Sequence, residues 1–322
     1  MAESGEPVFT IPISANNIYG FCFWAGRTEG KKSKQEIGAK TIEKYIHSLK
    51  SWHLLHGAKY PDLVEPTVKI LLRSSAKADA LVPLKEKKGA VHLKHLVFLV
   101  EALVMSNPKG KAVLDLALVA FWGMARLGEL TSPFPHGDLD PRTSVFKDDV
   151  SREKAGDETL AVLTLQDAKT CKPGETQKIK LRPLTNLLCP VEAVKKRRLL
   201  QVWPSHAVQL FRDRMEAVHL TKDIFIKAPS AVWQQGGFQN LTGHSFCVEG
   251  ASLRTAMGFR AKEICKIGRW VLNCYELYIR PYSQQEVEES IDLLAKLDLL
   301  WNLANTLEAE IPQEASGSGQ GK

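Results

Sequence analysis

The spacing of hydrophobic residues predicts a largely helical protein. Apolar side chains recur at three- and four-residue steps over residues 41–56, as in an amphipathic helix. The same spacing predicts helices at 93–104, 189–202 and 284–307. Residues 111–124 are apolar nearly all round, so we expect them to form a central buried helix.

The hydrophobic period changes between residues 159 and 182. Residues 160–165 are rich in leucine and valine, and residues 176–181 alternate apolar with polar side chains, which predicts two strands. A loop with the sequence D-A-K-T-C-K-P-G-E joins them. The predicted fold class is therefore mainly α with a small β-hairpin or sheet, that is, α+β.

Glycines divide the stretch 241–282 into short helices. One is predicted at 245–257 and one at 261–267, and a third is predicted to begin near Asn273. These helices could bring four polar or aromatic side chains, suited to attack on a phosphodiester, into one small space. The four are His244, Arg269, Trp270 and Tyr278. Two structural alternatives remain open: Tyr278 could form a core aromatic pair with Tyr275, and His244 could cap the following helix.

Composition limits the classes of protein to which this chain can belong. Of its 322 residues, 44% are hydrophobic and 25% are charged, which is typical of soluble globular proteins. The net charge of +7 is compatible with a polyanionic partner. Six cysteines without a C-x-x-C pair favour reduced thiols in an intracellular compartment. We expect no signal peptide and no membrane span, because the most apolar run is shorter than the roughly 20 residues that a span requires.

Several motifs resemble those of one family, the tyrosine recombinases. The C-terminal half of that family has a similar series of motifs: G-H-S-F followed by G-A-S, then G-R-W, then a tyrosine, here Tyr278, nine residues after Arg269. The series is most similar to that of Crypton-type recombinases of fungal transposons and their domesticated relatives. A-R-L-G-E-L at Arg126 resembles the family's first catalytic arginine motif, and A-K-T at Lys169 resembles its hairpin lysine motif.

The resemblance implies a role for each matching residue. Tyr278 would be the nucleophile that forms a 3′-phosphotyrosyl link, and Arg126 would clamp the phosphate. Lys169 would be the general acid, with Lys172 as its alternative, and His244 would assist proton transfer. Arg269 or Trp270 would contact the phosphate, and Glu129 would support the fold around Arg126. The family needs no metal, cofactor or ATP. It does need an arginine three residues after the histidine, where this chain has Cys247.

The resemblance also implies a domain organisation and a partner. It predicts a helical core-binding domain at 1–80 and a catalytic domain at 93–307, and composition predicts a linker at 81–92 and a disordered tail at 308–322. The partner would be double-stranded DNA, bound by a homo-oligomer in the nucleus. The helix at 41–56 carries Lys44, His47, Lys50 and His53 on its predicted polar face, either as DNA contacts or as a solvated surface. The leucine-rich face of 284–307 packs either on its own core or on a neighbouring protomer.

Three functions are therefore open from the sequence. The first is a recombinase that breaks and rejoins DNA through Tyr278. The second is a DNA-binding descendant that has lost catalysis at Cys247. The third, from another class, is a helical protein–protein adaptor.

Overall fold

The structure is a computed structural model. It describes residues 11–27, 37–83, 91–168, 171–172, 174–199, 210–213, 216–238, 241, 245–270, 275–276 and 278–310. The chain divides into two compact units, Met1–Lys87 and Lys88–Lys322. The linker at 81–92 and the tail at 308–322 remain predictions, since they lie wholly or partly outside the described residues.

The first unit is helical throughout its described part. It contains α1 (Ala15–Ala25), α2 (Ala39–Leu55) and α3 (Glu65–Ala80), with a short 3-10 helix at Asp62–Val64. Its core consists of apolar side chains from all three helices, among them Ile18, Cys22, Ile42, Ile46 and Val68. Asp79 fixes the start of α2, because one carboxylate oxygen accepts the Ala39 N–H at 2.7 Å while the other pairs with Arg27 at 3.1 Å.

The second unit is built around one buried helix. In chain order its helices are α4 (Leu93–Leu103), α5 (Pro108–Trp122), α6 (Leu127–Leu130), α7 (Pro190–Leu199), α8 (Lys222–Gln235), α9 (Ser245–Ala256), α10 (Ala261–Gly268) and α11 (Gln284–Glu310). Every residue of α5 from Ala112 to Phe121 is buried, which confirms the predicted central helix. Asn107 caps α5 by accepting the Gly110 N–H at 2.9 Å.

A three-stranded antiparallel sheet lies between α6 and α7 in the chain. Its strands β1 (Val150–Ala155), β2 (Glu158–Leu165) and β3 (Gln177–Leu181) pair in chain order. Two further strands, β4 (Leu210–Asp213) and β5 (Glu216–His219), form a separate hairpin. The predicted fold class, mainly α with a small sheet, is confirmed.

α9 packs against α5 at a point where only glycine fits. A Cβ atom on Gly250 would overlap the Phe121 carbonyl oxygen, so a larger residue would push the two helices apart. Near this crossing, Arg254 donates hydrogen bonds to the carbonyl oxygens of Gly250 and Trp122, each at 2.7 Å. Burial lowers the pKa of Arg254 to about 10. Arg254 therefore joins α9 to the end of α5.

α11 packs on its own unit. Leu293, Leu294 and Leu297 contact the main core. Asp298 accepts hydrogen bonds from Thr185 at 3.0 Å and from Asn186 at 2.7 Å. Within the described ranges, no helix combines the length and the apolar character needed to cross a membrane.

Candidate active site

Arg126 lies at a sharp turn between α5 and α6. After α5 ends at Trp122, Met124 adopts a left-handed backbone conformation, with φ of 45°, which redirects the chain. Arg126 then caps α6: its N–H donates to Glu129 Oε2 at 3.0 Å, and its Nη1 donates to Glu129 Oε1 at 2.9 Å. Glu129 thereby fixes both the backbone and the guanidinium of Arg126.

Glu129 also binds a second arginine, from α10. Arg269 Nη2 donates to Glu129 Oε2 at 2.7 Å, across 140 positions of sequence. One carboxylate therefore holds two guanidinium groups. Burial disfavours the charge of Arg126, but the hydrogen bond and charge of Glu129 outweigh it and raise the pKa of Arg126, with further contributions from Tyr278 and Cys247.

The two guanidinium groups differ in access to solvent. The Arg126 side chain is 22% exposed, whereas that of Arg269 is 6% exposed. Arg269 caps the C-terminus of α10 in a left-handed conformation, with φ of 57°. Its Nε and Nη1 are buried and have no hydrogen-bond partner among the described residues. An incoming anion would therefore meet Arg126 first, and Arg269 only after a local movement.

Tyr278 stacks on Trp270. The two rings lie 4.3 Å apart between centroids and are inclined by 13°. The backbone of this segment is held by Ser252 on α9, whose hydroxyl donates to the Val248 carbonyl oxygen at 2.8 Å and accepts the Arg280 N–H at 2.9 Å. Tyr275 and Tyr278 both pack against one apolar cluster, which includes Met124 and Trp270, and a direct pair between the two tyrosine rings stays a prediction.

Cys247 occupies the position at which the resembled family has its second arginine. The residue is 2% exposed, and its thiol donates to the Met124 carbonyl oxygen at 3.2 Å. Burial raises the pKa of Cys247 to about 12, although Arg126 and Arg269 act in the opposite direction. The thiol is therefore neutral at physiological pH and supplies no charge to the site.

Three predicted site residues remain, namely Lys169, His244 and Lys172. Lys169 and His244 lie outside the described residues, as does the predicted start of the third short helix near Asn273. Lys172 is exposed in the loop between β2 and β3. No group of three or more His, Cys, Asp or Glu side chains in the described part of the chain is arranged to hold a metal ion.

His53 in the first unit requires a correction. Lys44 is exposed on α2, and Lys50 places its ammonium 5.3 Å from the ring centre of Tyr60. His53, in contrast, is fully buried, and its Nε2 accepts the Ile13 N–H at 3.0 Å. The predicted polar-face position is wrong because residue 53 is eleven positions, or about three helical turns, after Ile42 and lies on the same buried side.

Sequence reasoning missed three residues that shape the site. Met124 makes the turn and accepts the Cys247 thiol, Ser252 holds the segment of Tyr278, and Gly250 permits the close packing of α9. The run of small residues at 250–252 is the sequence signal for Gly250 and Ser252. A methionine with positive φ has no comparable signal.

Comparisons with known proteins give a likeness of fold. No family model matches the chain, and no curated protein does. Among solved structures, it is similar to the Tn1549 transposon integrase in complex with a circular intermediate DNA, with 12% identity and a TM-score of 0.49 over 87% of this chain and 85% of that one. It is also similar to XerA recombinase, with 15% identity and a TM-score of 0.40 over 85% and 86%.

A third similar structure is XerH site-specific recombinase bound to its difH substrate. The identity is 13% and the TM-score is 0.41, over 80% of this chain and 71% of that one. At such identities the likeness concerns the fold and gives no information on the chemistry of individual residues.

Proposed function

We propose that this protein is a DNA-binding, tyrosine recombinase-like protein in which Tyr278 attacks a DNA phosphodiester. One observation carries the proposal. Arg126 lies far in sequence from Arg269 and Tyr278, yet the three meet around Glu129 and Trp270 in the described structure. The Crypton-type resemblance of the G-H-S-F and G-R-W motifs supports the same class of chemistry.

The proposed reaction exchanges one phosphoester bond for another. The Tyr278 oxygen attacks phosphorus, the bond to the 5′ oxygen breaks, and a 3′-phosphotyrosyl link and a free 5′-hydroxyl result. The leaving oxygen takes a proton from Lys169 or Lys172, and the phenol proton passes to His244, as the resemblance predicts. No ATP is needed because the phosphotyrosyl link keeps the energy of the broken bond.

The arginines would stabilise the charge of the transition state. A tyrosine phenol has a pKa of about 10, so it is a weak nucleophile at neutral pH without cationic neighbours. A guanidinium can donate two parallel hydrogen bonds to phosphate oxygens, which an ammonium cannot do with the same geometry. Arg126, fixed by Glu129 and partly exposed, is the first such group that a phosphate would meet.

Cys247 favours a second candidate function, a DNA-binding protein without strand cleavage. A neutral, buried thiol cannot replace a guanidinium in contacting phosphate. Loss of one preorganised donor lowers the rates of comparable enzymes by roughly 10²–10³. We therefore expect cleavage in the wild-type protein to be slow or absent.

A covalent trapping experiment tests the proposal. Nicked duplexes from a random-sequence pool would be incubated with the full chain, and denaturing gels would be examined for a protein–DNA adduct. We expect an adduct in the wild type or in Cys247→Arg, and none once Tyr278→Phe is added to the same chain. Tyr275→Phe is the matched control, because it removes a neighbouring phenol and should leave the adduct intact.

Each result has a distinct meaning. An adduct that persists in Tyr278→Phe would refute the assigned nucleophile. DNA binding without an adduct in any variant would leave the second candidate function, and absence of DNA binding would favour the adaptor. Nuclear location and assembly of several copies on DNA are further expectations of the proposed function.

A further inference from the structure

In the described part of the second unit, His92 lies close to side chains from two other helices. His92 directly precedes α4 and faces a glutamate from each of two other helices. Its Nδ1 lies 3.6 Å from Glu249 Oε1 on α9, and its Nε2 lies 3.8 Å from Glu286 Oε1 on α11. The ring of Tyr282 packs on it edge-on, with 5.0 Å between centroids.

Glu249 is an unusual group in this arrangement. The residue is 0% exposed, and neither carboxyl oxygen has a hydrogen-bond partner among the described residues. Burial, with a further contribution from the charge of Glu286, raises the pKa of Glu249 from its ordinary 4.5 to about 9. Glu249 is therefore a neutral acid at physiological pH, facing an imidazole nitrogen.

The other titratable groups around Glu249 keep their protonation state between about pH 7 and about pH 9. Burial lowers the pKa of His92 despite the opposing charges of Glu286 and Glu289, and Lys94 lowers it further. His95 accepts the His92 N–H, and burial lowers its pKa to about 4. Glu286 accepts two hydrogen bonds from Ser283, which lower its pKa. Near neutral pH both histidines are therefore uncharged and Glu286 is ionised.

We propose that Glu249, His92 and Glu286 form a proton-linked clasp, in which the start of α11 stays packed beside His92 while Glu249 carries its proton. When Glu249 ionises, its charge is buried and faces Glu286 across an uncharged ring, so the closed arrangement loses stability. Tyr282 and Glu286 follow Tyr278 by four and eight residues, so the clasp anchors the chain directly after that tyrosine.

The direction of the pH effect follows from the two pKa values of Glu249. With the clasp open, Glu249 reaches water and regains its ordinary pKa of 4.5, whereas in the closed clasp its pKa is about 9. The closed state therefore binds the proton more tightly. The stabilisation is complete below pH 4.5 and is lost as the pH rises towards about 9. Between about pH 7, above the ordinary pKa of His92, and about pH 9, the opening constant should rise about tenfold per pH unit.

Hydrogen exchange of the full chain between about pH 7 and about pH 9 tests this proposal without DNA. After correction for intrinsic exchange rates, the protection of the amides in the first turns of α11 should fall about tenfold per pH unit in the wild type. In Glu249→Gln, a neutral mimic of the protonated acid, protection should change by less than about twofold over the whole range. Glu288→Gln, on the exposed side of α11, is the matched control and should keep the wild-type slope.

A flat wild-type profile, or a steep profile that survives in Glu249→Gln, would overturn the clasp. A second measurement uses only the wild type, in case the variant does not fold. Carbon-13 titration of the glutamate side chains should reveal one carboxyl with a midpoint near pH 9. If every glutamate titrates in the ordinary acid range, the clasp does not exist.

Discussion

At the scale of single residues, the candidate site depends on how one carboxylate is shared. Glu129 accepts the Arg126 guanidinium at Oε1, and it accepts both the Arg126 N–H and the Arg269 guanidinium at Oε2. Since Cys247 is neutral, the three charged side chains carry one net positive charge. This net positive charge makes the site suited to binding an anion.

Replacing Glu129 with glutamine should destabilise the protein strongly. The variant Glu129→Gln leaves two guanidinium groups without a counter-charge, and Arg269 is only 6% exposed. Removing one partner of a buried pair costs about 3–5 kcal/mol. Urea denaturation measures the free energy of unfolding.

Glu263→Gln is the control for this change. Glu263 pairs with Arg260 at 3.2 Å on the surface, where both side chains are largely exposed. Loss of this exposed pair should lower the free energy of unfolding far less than loss of Glu129 does. Equal losses in the two variants would mean that the bridging role of Glu129 contributes nothing to stability.

At the scale of elements, α9 connects the parts of the candidate site. It carries Cys247, it holds the Tyr278 segment through Ser252, and it crosses α5 at Gly250. A helix with so many fixed contacts has little freedom to shift. A small displacement of α9 would therefore move the tyrosine segment and the lining of the site together.

Gly250→Ala should test how tightly α9 is fixed. The added methyl group would overlap the Phe121 carbonyl oxygen, and overpacking of this kind costs typically about 1–3 kcal/mol. Gly128→Ala is the control, because a Cβ there meets nothing within 4 Å in helix α6. Its stability should stay the same or rise slightly. A thermal melt in which both variants match the wild type would show that the crossing can relax.

The sequence predicted the elements whose signals are local. The buried faces of α2 and α5 and the strands β2 and β3 follow from the hydrophobic period, and their existence is confirmed. β1 was missed because its residues after Val150 are exposed and show no alternation. β4 and β5 were missed as well.

The candidate site was predictable as a set of residues and not as a geometry. Motif spacing placed Arg126, Arg269 and Tyr278 in one hypothesis, and their roles remain predictions. The bridge from Glu129 to Arg269 spans 140 positions, so no local pattern could reveal it. His53 was misplaced because a histidine looks polar in sequence, whereas its helical position makes it part of the core.

At the scale of the whole molecule, the basic balance of charge leads to a salt-dependent prediction. A protein that neutralises DNA phosphates releases counterions, so the logarithm of its affinity falls linearly with that of the salt concentration. With a net charge of +7, we expect binding to random duplex DNA to weaken steeply as salt is added. Affinity that does not change with salt would exclude phosphate contacts as its source.

Lys44→Gln should reduce that salt dependence if Lys44 contacts a phosphate. Loss of one phosphate contact lowers the slope by about 0.9 and weakens binding to all sequences alike. Lys69→Gln is the matched control, because Lys69 is an exposed lysine on α3 that faces Glu65 at 3.7 Å. Fluorescence anisotropy titrations at several salt concentrations measure both slopes. Identical slopes for the two variants would remove Lys44 from the proposed contacts.

The left-handed backbone of Arg269 sets the strain of one turn against a buried ion pair at a single position. Glycine would adopt a φ of 57° without strain, whereas a side chain at this C-cap is costly. The same conformation, however, directs the guanidinium to Glu129 and leads the chain on to Trp270. Arg269→Gly should therefore relieve the turn and still lower the melting temperature, because losing one partner of a buried ion pair costs more than one strained residue.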